Sequence, residues 1–380
     1  MASVVPALPL LSRELQADYA VVQFVVSSYL LGLGLFQPIQ GLLCDRFGRR
    51  PVLLAGFSLF LIASLAASLA DQITLLVAAR FVQAMGVSVA TVVTRAIVRD
   101  SFEPGPAATA LSFITAVMGV APVIAPFVGG LASEAFGWRG LFWLHAAVAA
   151  GVGLLLVIQL RETRPTGTQA MRFSDLLRGA ATLLRHRRFL GHSLTYSAVS
   201  AAGFIFITVG ADLYGRLFGL ASAQFGALWS GLAISYVAGA TTAGYLSRRL
   251  GHRQTTVVGL VVNVLATALF VLAAFAAAPS LALFSGSLGL LMVANGIISP
   301  LALAGAVDEQ PELAGVAAGL SSAIAMLLSM VSAIATGVLY DGTAKPCALL
   351  MLLACGLAWL SAQLSRGRPQ ATLTSALPKF

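Results

Sequence analysis

Runs of about 20 mostly apolar residues, each closed by a short polar break, recur along almost the whole of this chain. A helix of that length rises far enough to cross the hydrocarbon of a bilayer, and inside lipid the backbone must satisfy its own hydrogen bonds, which a helix does within one segment. Eleven runs are delimited, at approximately 20 to 43, 51 to 70, 74 to 98, 108 to 132, 140 to 160, 189 to 211, 223 to 246, 255 to 278, 281 to 304, 313 to 339 and 346 to 364. Hydrophobic residues make up 58% of the chain and charged ones 10%, where a soluble domain carries about 25% charged residues. A water-soluble fold is therefore excluded, and an all-α polytopic membrane protein is expected. The sequence has no GxxxxGK[ST] loop, no HExxH and no GxSxG, so the expectation is a protein that is not an enzyme and uses no cofactor or metal.

The net charge of +9 comes from short clusters lodged between the apolar runs, not from a basic face, which argues against a nucleic-acid partner. Of the 23 basic residues, eighteen fall on one side, in alternate breaks or in the last turn of the run before them: Arg46, Arg49 and Arg50; Arg95 and Arg99; seven arginines from Arg161 to Arg188; Arg248, Arg249 and Arg253; and Arg366, Arg368 and Lys379. The opposite breaks hold only Arg13, Arg139, Arg216 and Lys345, with Arg80 inside a run. Lys and Arg gather on the cytoplasmic side, so the 44 to 50 loop and the C-terminus are expected there, in a bacterial inner membrane.

The longest break divides the chain into an N-terminal bundle (1–160), a linker (161–188), a C-terminal bundle (189–364) and a tail (365–380). Within the linker Phe173, Leu176, Leu177, Ala180, Leu183 and Leu184 recur at helical spacing opposite Arg172, Arg178 and Arg185, which fits an amphipathic helix on an anionic leaflet or a solvated linker helix equally. Across it the sequence repeats: GLLCDRFGRR at 41–50 returns as GYLSRRLGHR at 244–253, an offset of 203 that pairs Gly48 with Gly251 and Arg50 with Arg253. Parallel repeats of this kind build many transporter folds. The same offset places the partner of the 189 to 211 run partly upstream of Met1, so a truncated first span and twelve spans in the intact chain are expected. Cys44, Cys347 and Cys355 have no ligand or disulfide spacing and read as small buried hydrophobes.

Gly41 to Arg50 resembles the loop signature of the major facilitator superfamily, in which Gly41, Asp45, Arg46, Gly48, Arg49 and Arg50 would form a gating loop. Physically, Gly41 would let a helix end approach a neighbour and Asp45 could face a helix N-terminus. RFVQAMG, Arg80 to Gly86, resembles the fourth-span motif of twelve-span drug:proton antiporters and implies proton coupling by Arg80, with Gln83 one turn away on its face. The alternative for Arg80 is a side chain that snorkels to the headgroups. GVAPVIAPFVGG resembles the antiporter glycine and proline motif, carried here by Gly119, Pro122, Pro126, Gly129 and Gly130, with prolines that bend the helix and glycines that let it pack closely. GWRGLF (137–142), VPALP (5–9) and PELAGVAAGL (311–320) are similar to the Bcr/CflA drug-resistance group. That resemblance implies an acid near Ala2, where this chain has none, and no Asp or Glu lies within the eleven runs, so the proton carrier is expected upstream or not at all.

Gln37, Tyr196, Tyr236, Asn263 and Asn295 are the uncharged polar residues at membrane depth, candidates for a central cavity or for interhelical hydrogen bonding. The resemblance implies a major facilitator fold of two six-helix bundles that moves small molecules by alternating access. The expected function is export of drugs or other small amphipathic molecules driven by a proton gradient, by a monomer whose partners are its substrate, protons and membrane lipid. An importer of a small metabolite, and a non-transporting remnant or membrane scaffold, are the alternatives.

Overall fold

The structure is a computed structural model that describes residues 1–164 and 173–365. Arg172 and the tail residues Arg366, Arg368 and Lys379 lie outside the described residues. The chain opens with a 3-10 turn, Ala2–Ala7, and α1 (Leu8–Glu14), whose Val4, Val5, Leu8 and Leu11 are buried in the core. After them come α2 (Tyr19–Val22), α3 (Phe24–Phe47), α4 (Arg49–Ser68), α5 (Ile73–Ser101) and α6 (Pro104–Gln159). The second half runs through α7 (Phe173–Arg185), α8 (Arg187–Phe218), α9 (Ser222–Leu250), α10 (His252–Phe275), α11 (Leu281–Asp308), α12 (Ala314–Leu339) and α13 (Lys345–Leu364). No strand occurs among the described residues.

All eleven expected runs are helical, yet among the described residues only nine helices are long and apolar enough to span a membrane by themselves. Two features explain the difference. α6 carries two runs as one element interrupted only at Gly137, whose φ of +69° turns the chain between them. α9 has full length but is diluted by Ser230, Ser235, Thr241, Thr242, Arg248 and Arg249. Helices also overhang their apolar runs, so Asp100, Asp212 and Asp308 sit in helical turns of α5, α8 and α11. The expected absence of acids from the spans therefore holds for the hydrocarbon-length runs and fails for the helices themselves, because a helix continues into the polar interface once its hydrocarbon-spanning part has formed.

The repeat is visible in the backbone. Gly48 (φ +99°, ψ 162°) ends α3 and starts α4, and Gly251 (φ +80°, ψ 162°) does the same between α9 and α10. Only glycine adopts this region readily, so two residues 203 apart make the same corner for the same reason. Packing repeats as well: α3 on α5 matches α9 on α11, α4 on α5 matches α10 on α11, and α4 on α6 matches α10 on α13. The two groups meet where α6 packs on α9 and α3 on α12. Many large apolar side chains, among them Ile62, Phe136, Leu154, Ile158 and Leu353, project outward, a surface that only lipid solvates well.

The linker helix α7 buries Gly179 and Leu183 against Leu313 and Val316 at the start of α12, while Phe173, Leu177 and Leu184 are exposed. It is neither freely solvated nor free of the bundle. The three cysteines are buried and unpaired, in keeping with their reading as small hydrophobes.

Candidate functional site

Three constellations stand out, two in the N-terminal group of helices and one in the C-terminal group, and the first occupies the arginine-rich end. Arg49 is 3% exposed, its Nε 2.9 Å from Asp100 of α5 and its Nη1 2.9 Å from Asp45 one turn back on α3. Nη1 also donates to the Cys44 carbonyl. A cation this deeply buried is retained only with partners around it, and removing one partner of such a pair costs about 3–5 kcal/mol. The loop is closed by Glu162, which sequence reasoning missed. Its Oε1 accepts the backbone N–H groups of Arg49 (2.9 Å), Thr163 (3.0 Å) and Arg164 (2.9 Å), and its Oε2 accepts that of Arg50 (3.1 Å). Arg50 further donates to the Val157 carbonyl, and the Arg46 carbonyl receives Arg164.

Two expectations for this loop are corrected. The carboxylate at a helix N-terminus is Glu162, on α4, while Asp45 pairs with Arg49, because the left-handed corner at Gly48 exposes the first amides of α4 to the segment after α6. Nothing lies within 4 Å of a Cβ built at Gly41, so no neighbour approaches there; its repeat mate Gly244 is equally open.

Burial works against the charge of Glu162, but the amides of Arg49, Arg164, Arg50 and Thr163 outweigh it and hold the carboxyl below its ordinary value. The sign follows: the contribution is complete above the unfolded carboxyl's pKa of about 4.3 and fades as pH falls through the lower folded value. Glu162→Gln should lower the thermal midpoint by about 2 °C at neutral pH and flatten its acid dependence. Superimposable unfolding curves for both proteins between neutral and acid pH would reject this role.

Arg80 forms the second constellation. At 1% exposed it does not snorkel; its guanidinium lies 4.0 Å from the centroid of the Tyr29 ring. Nη1 donates to Gln83 Oε1 (2.8 Å), Nε reaches the Val25 carbonyl (3.4 Å), and Gln83 passes its amide N–H to Ser64 (2.7 Å). The predicted pair Arg80 and Gln83 is thus one buried chain linking α3, α4 and α5. Nη2 has no acceptor among the described residues, and no carboxylate lies within ion-pairing distance of Arg80 there.

The third constellation is a cavity of about 170 Å³ at mid-length of α8, α9 and α11, lined by Tyr196, Phe204, Trp229, Tyr236, Met292 and Asn295 among others. Trp229 stacks on Phe206 with ring centroids 5.5 Å apart, and Asn295 donates to the Val199 carbonyl while its Oδ1 has no partner. Of the five candidates Tyr196, Tyr236 and Asn295 line this cavity; Gln37, half-buried on α3, and Asn263, 1% exposed within α10, do not. Trp229 and Met292 were missed because an apolar residue in an apolar helix carries no signal of what it faces.

The ends of the helices away from the arginine-rich end are shut against each other. A Cβ at Gly130 would lie 2.6 Å from the Ser222 carbonyl oxygen, and one at Gly226 would overlap the Pro126 carbonyl, so backbone meets backbone between α6 and α9. Gly129 likewise leaves room for the Ser3 carbonyl. Glu134 accepts the Ala223 amide at 2.7 Å across the same seam. Pro122 and Pro126 are carried inside α6 without ending it, and Gly119 lies in the same helix.

An all-helical membrane protein made of two repeated groups of helices, with a cavity beside the seam and one end of the seam closed, belongs to the class of secondary transporters. The chain is a member of the Major Facilitator Superfamily, whose family model matches residues 1–333. It is 27% identical over 351 residues to an uncharacterized MFS-type transporter, YdgK of Bacillus subtilis (strain 168), spanning 92% of this chain and 87% of that one. It is also 32% identical over 232 residues to the multidrug resistance protein MdtL of Shigella flexneri serotype 5b (strain 8401), spanning 60% of this chain and 59% of that protein. Among solved structures, an inward-facing bacterial homolog of the human lysosomal transporter Spinster superposes with a TM-score of 0.77 at 16% identity, covering 97% of this chain and 95% of that chain. A D-xylose-proton symporter gives 0.73 at 15% identity, covering 97% and 95%. The fold is therefore the major facilitator fold, the protein is an integral membrane transporter of a small-molecule substrate, and it is not an enzyme.

Proposed function

We propose that this chain exports small amphipathic organic molecules in exchange for protons, as a drug antiporter of the Bcr/CflA type. The observation that carries the reading is the chemistry of the cavity: four aromatic rings and a methionine with a few hydroxyls and one amide, and no ionised side chain in its lining. Such a wall attracts lipophilic molecules and organic cations through ring faces. The name of the MdtL relatives supports the same reading.

The arginine-rich end is assigned to the cytoplasm, with the C-terminus on that side of a bacterial inner membrane. On this orientation the closed seam is external, the state in which an exporter would load its substrate from the inside. Alternating access supplies a reason for the two glycine sets: Gly130 and Gly226 are in contact now, and Gly41 and Gly244 face open space that closes when the bundles, 1–160 and 189–364, rock the other way. Arg80 is assigned to proton coupling, its unfilled Nη2 being where a carboxylate binds. The energy source is the proton gradient, no cofactor or metal is required, and one chain holding both bundles works as a monomer.

In everted vesicles, an acid interior should drive accumulation of a fluorescent lipophilic cation, and Trp229→Ala should cut the rate about tenfold, the loss of roughly one aromatic contact of 1.4 kcal/mol. Accumulation of a pentose or a nucleoside by right-side-out vesicles, with none of the cation by everted ones, would refute export and favour the importer.

A further inference from the structure

Among the carboxylates described, Asp212 stands apart. It lies in the last turns of α8 at the closed end, 12% exposed through its side chain, and its Oδ2 accepts both the Tyr340 hydroxyl (2.9 Å) and Arg216 Nε (2.6 Å). One turn earlier on the same face, the Thr208 carbonyl accepts the hydroxyl of Tyr19 (3.3 Å), the first residue of α2 in the other bundle. The rings of Tyr19 and Tyr340 sit 5.8 Å apart. A single carboxylate thus holds Tyr340, and Tyr340 packs on Tyr19, a side chain through which the N-terminal bundle hydrogen-bonds to α8.

We propose that Asp212 is a proton-binding site on the outer gate, whose protonation releases Tyr340 and Arg216 and opens the transporter outward. The inference rests on the antiport reading above and adds to it a gate that answers to acid on the outer side; the proton returns to that side when the gate closes. The ionised form accepts two donors at once; the protonated form has lost its charge, and its own O–H competes for an acceptor. The closed gate offers the carboxylate two donors that the open gate withdraws, so acid on the outer side favours opening.

Charged and titratable groups surround Asp212. α8 itself contributes Arg216, a permanent cation 61% exposed through its side chain, and α12 ends in Tyr340. α2 contributes the Tyr19 phenol, and α13 the buried thiol of Cys347. In the following loop Asp341 is held by the amide and hydroxyl of Thr343, and Lys345 lies over the Phe275 ring at 5.7 Å.

The test uses the full chain in lipid nanodiscs, with spin labels at Gln72→Cys and Ala278→Cys, exposed sites in the α4–α5 and α10–α11 loops at this end; the native cysteines are buried. Lowering the pH from about 7 to about 3, a range that spans carboxylate titration, should shift the distance distribution toward the long, open population. Asp212→Asn should give the open population throughout, Asp212→Glu should keep the response with a moved midpoint, and Tyr340→Phe should raise the midpoint because the ionised form has lost a donor. In vesicles Asp212→Asn should lose gradient-driven transport about tenfold or more, and substrate counterflow with it, because a gate that stays open cannot alternate. A wild-type response that persists in Asp212→Asn, a midpoint unmoved by Tyr340→Phe, or no pH response in the wild type would each overturn the proposal. If the distances respond as expected while the wild type transports nothing against a proton gradient, the gate stands and the antiport reading falls.

Discussion

Replacing Arg80 by alanine should reduce proton-driven efflux about a hundredfold, the equivalent of roughly 3 kcal/mol, while the protein still reaches the membrane. The size follows from what surrounds the guanidinium. Burial in the span is tolerated because the cation lies on the Tyr29 ring and donates to Gln83. Alanine leaves Gln83 Oε1 without its donor and removes a fully buried cation from the N-terminal bundle. Lysine should not rescue, because an ammonium cannot lie flat on the Tyr29 ring while reaching both Gln83 and the Val25 carbonyl. The checks are gradient-driven efflux and membrane abundance of Arg80→Ala and Arg80→Lys side by side. Efflux near the wild-type rate in either variant refutes a coupling role, and loss of the protein from the membrane assigns Arg80 to folding instead.

An equally large effect is expected from one methyl-bearing side chain at the closed seam. Valine at Gly226 would place carbon where the Pro126 carbonyl now lies, and α9 cannot yield without separating from α6. Overpacking of a tight core commonly costs about 1–3 kcal/mol, but here the penalty falls on only one of two states. A transporter held between states of similar energy should therefore shift to outward-open almost completely, since about 5.5 kcal/mol inverts a 99:1 population and less suffices from a balanced one. Transport by Gly226→Val should fall below a tenth of wild type. A cysteine introduced at Tyr236, on the cavity wall, should become protected from thiol reagent added on the arginine-rich side. Wild-type transport and labelling would show that the contact is not part of the cycle.

The span pattern, the repeat and the loop signature were legible because each is a local property of the chain: length of an apolar run, recurrence at one offset, and spacing of charges. Arg80 and Gln83 were legible for the same reason, a cation inside a hydrophobic stretch with a polar neighbour three residues on. Glu162 was not, because its partners Arg49 and Arg50 are more than 100 residues away and only the corner at Gly48 brings their amides to it. Asp212 was hidden by its position just beyond an apolar run, where an acid reads as solvated until the helix is seen to continue and Tyr340 to reach it. Asn263 illustrates the opposite failure: a polar residue at membrane depth suggests a cavity, yet the rotation of α10 turns it into the packed interior. Whether an intramembrane side chain faces lipid, a neighbour or the cavity is set by helix rotation, which hydropathy alone does not specify.

The twin glycine corners have a consequence for how this duplicated architecture has diverged. At Gly48 a carboxylate fills the corner, and a Cβ there would meet Glu162; at Gly251 the same corner stands open, with nothing within 4 Å. Equal geometry has therefore been given unequal company: the first corner is clasped by the Glu162 carboxylate, which accepts the amides of Arg49 and Arg50, and the second keeps only its backbone turn.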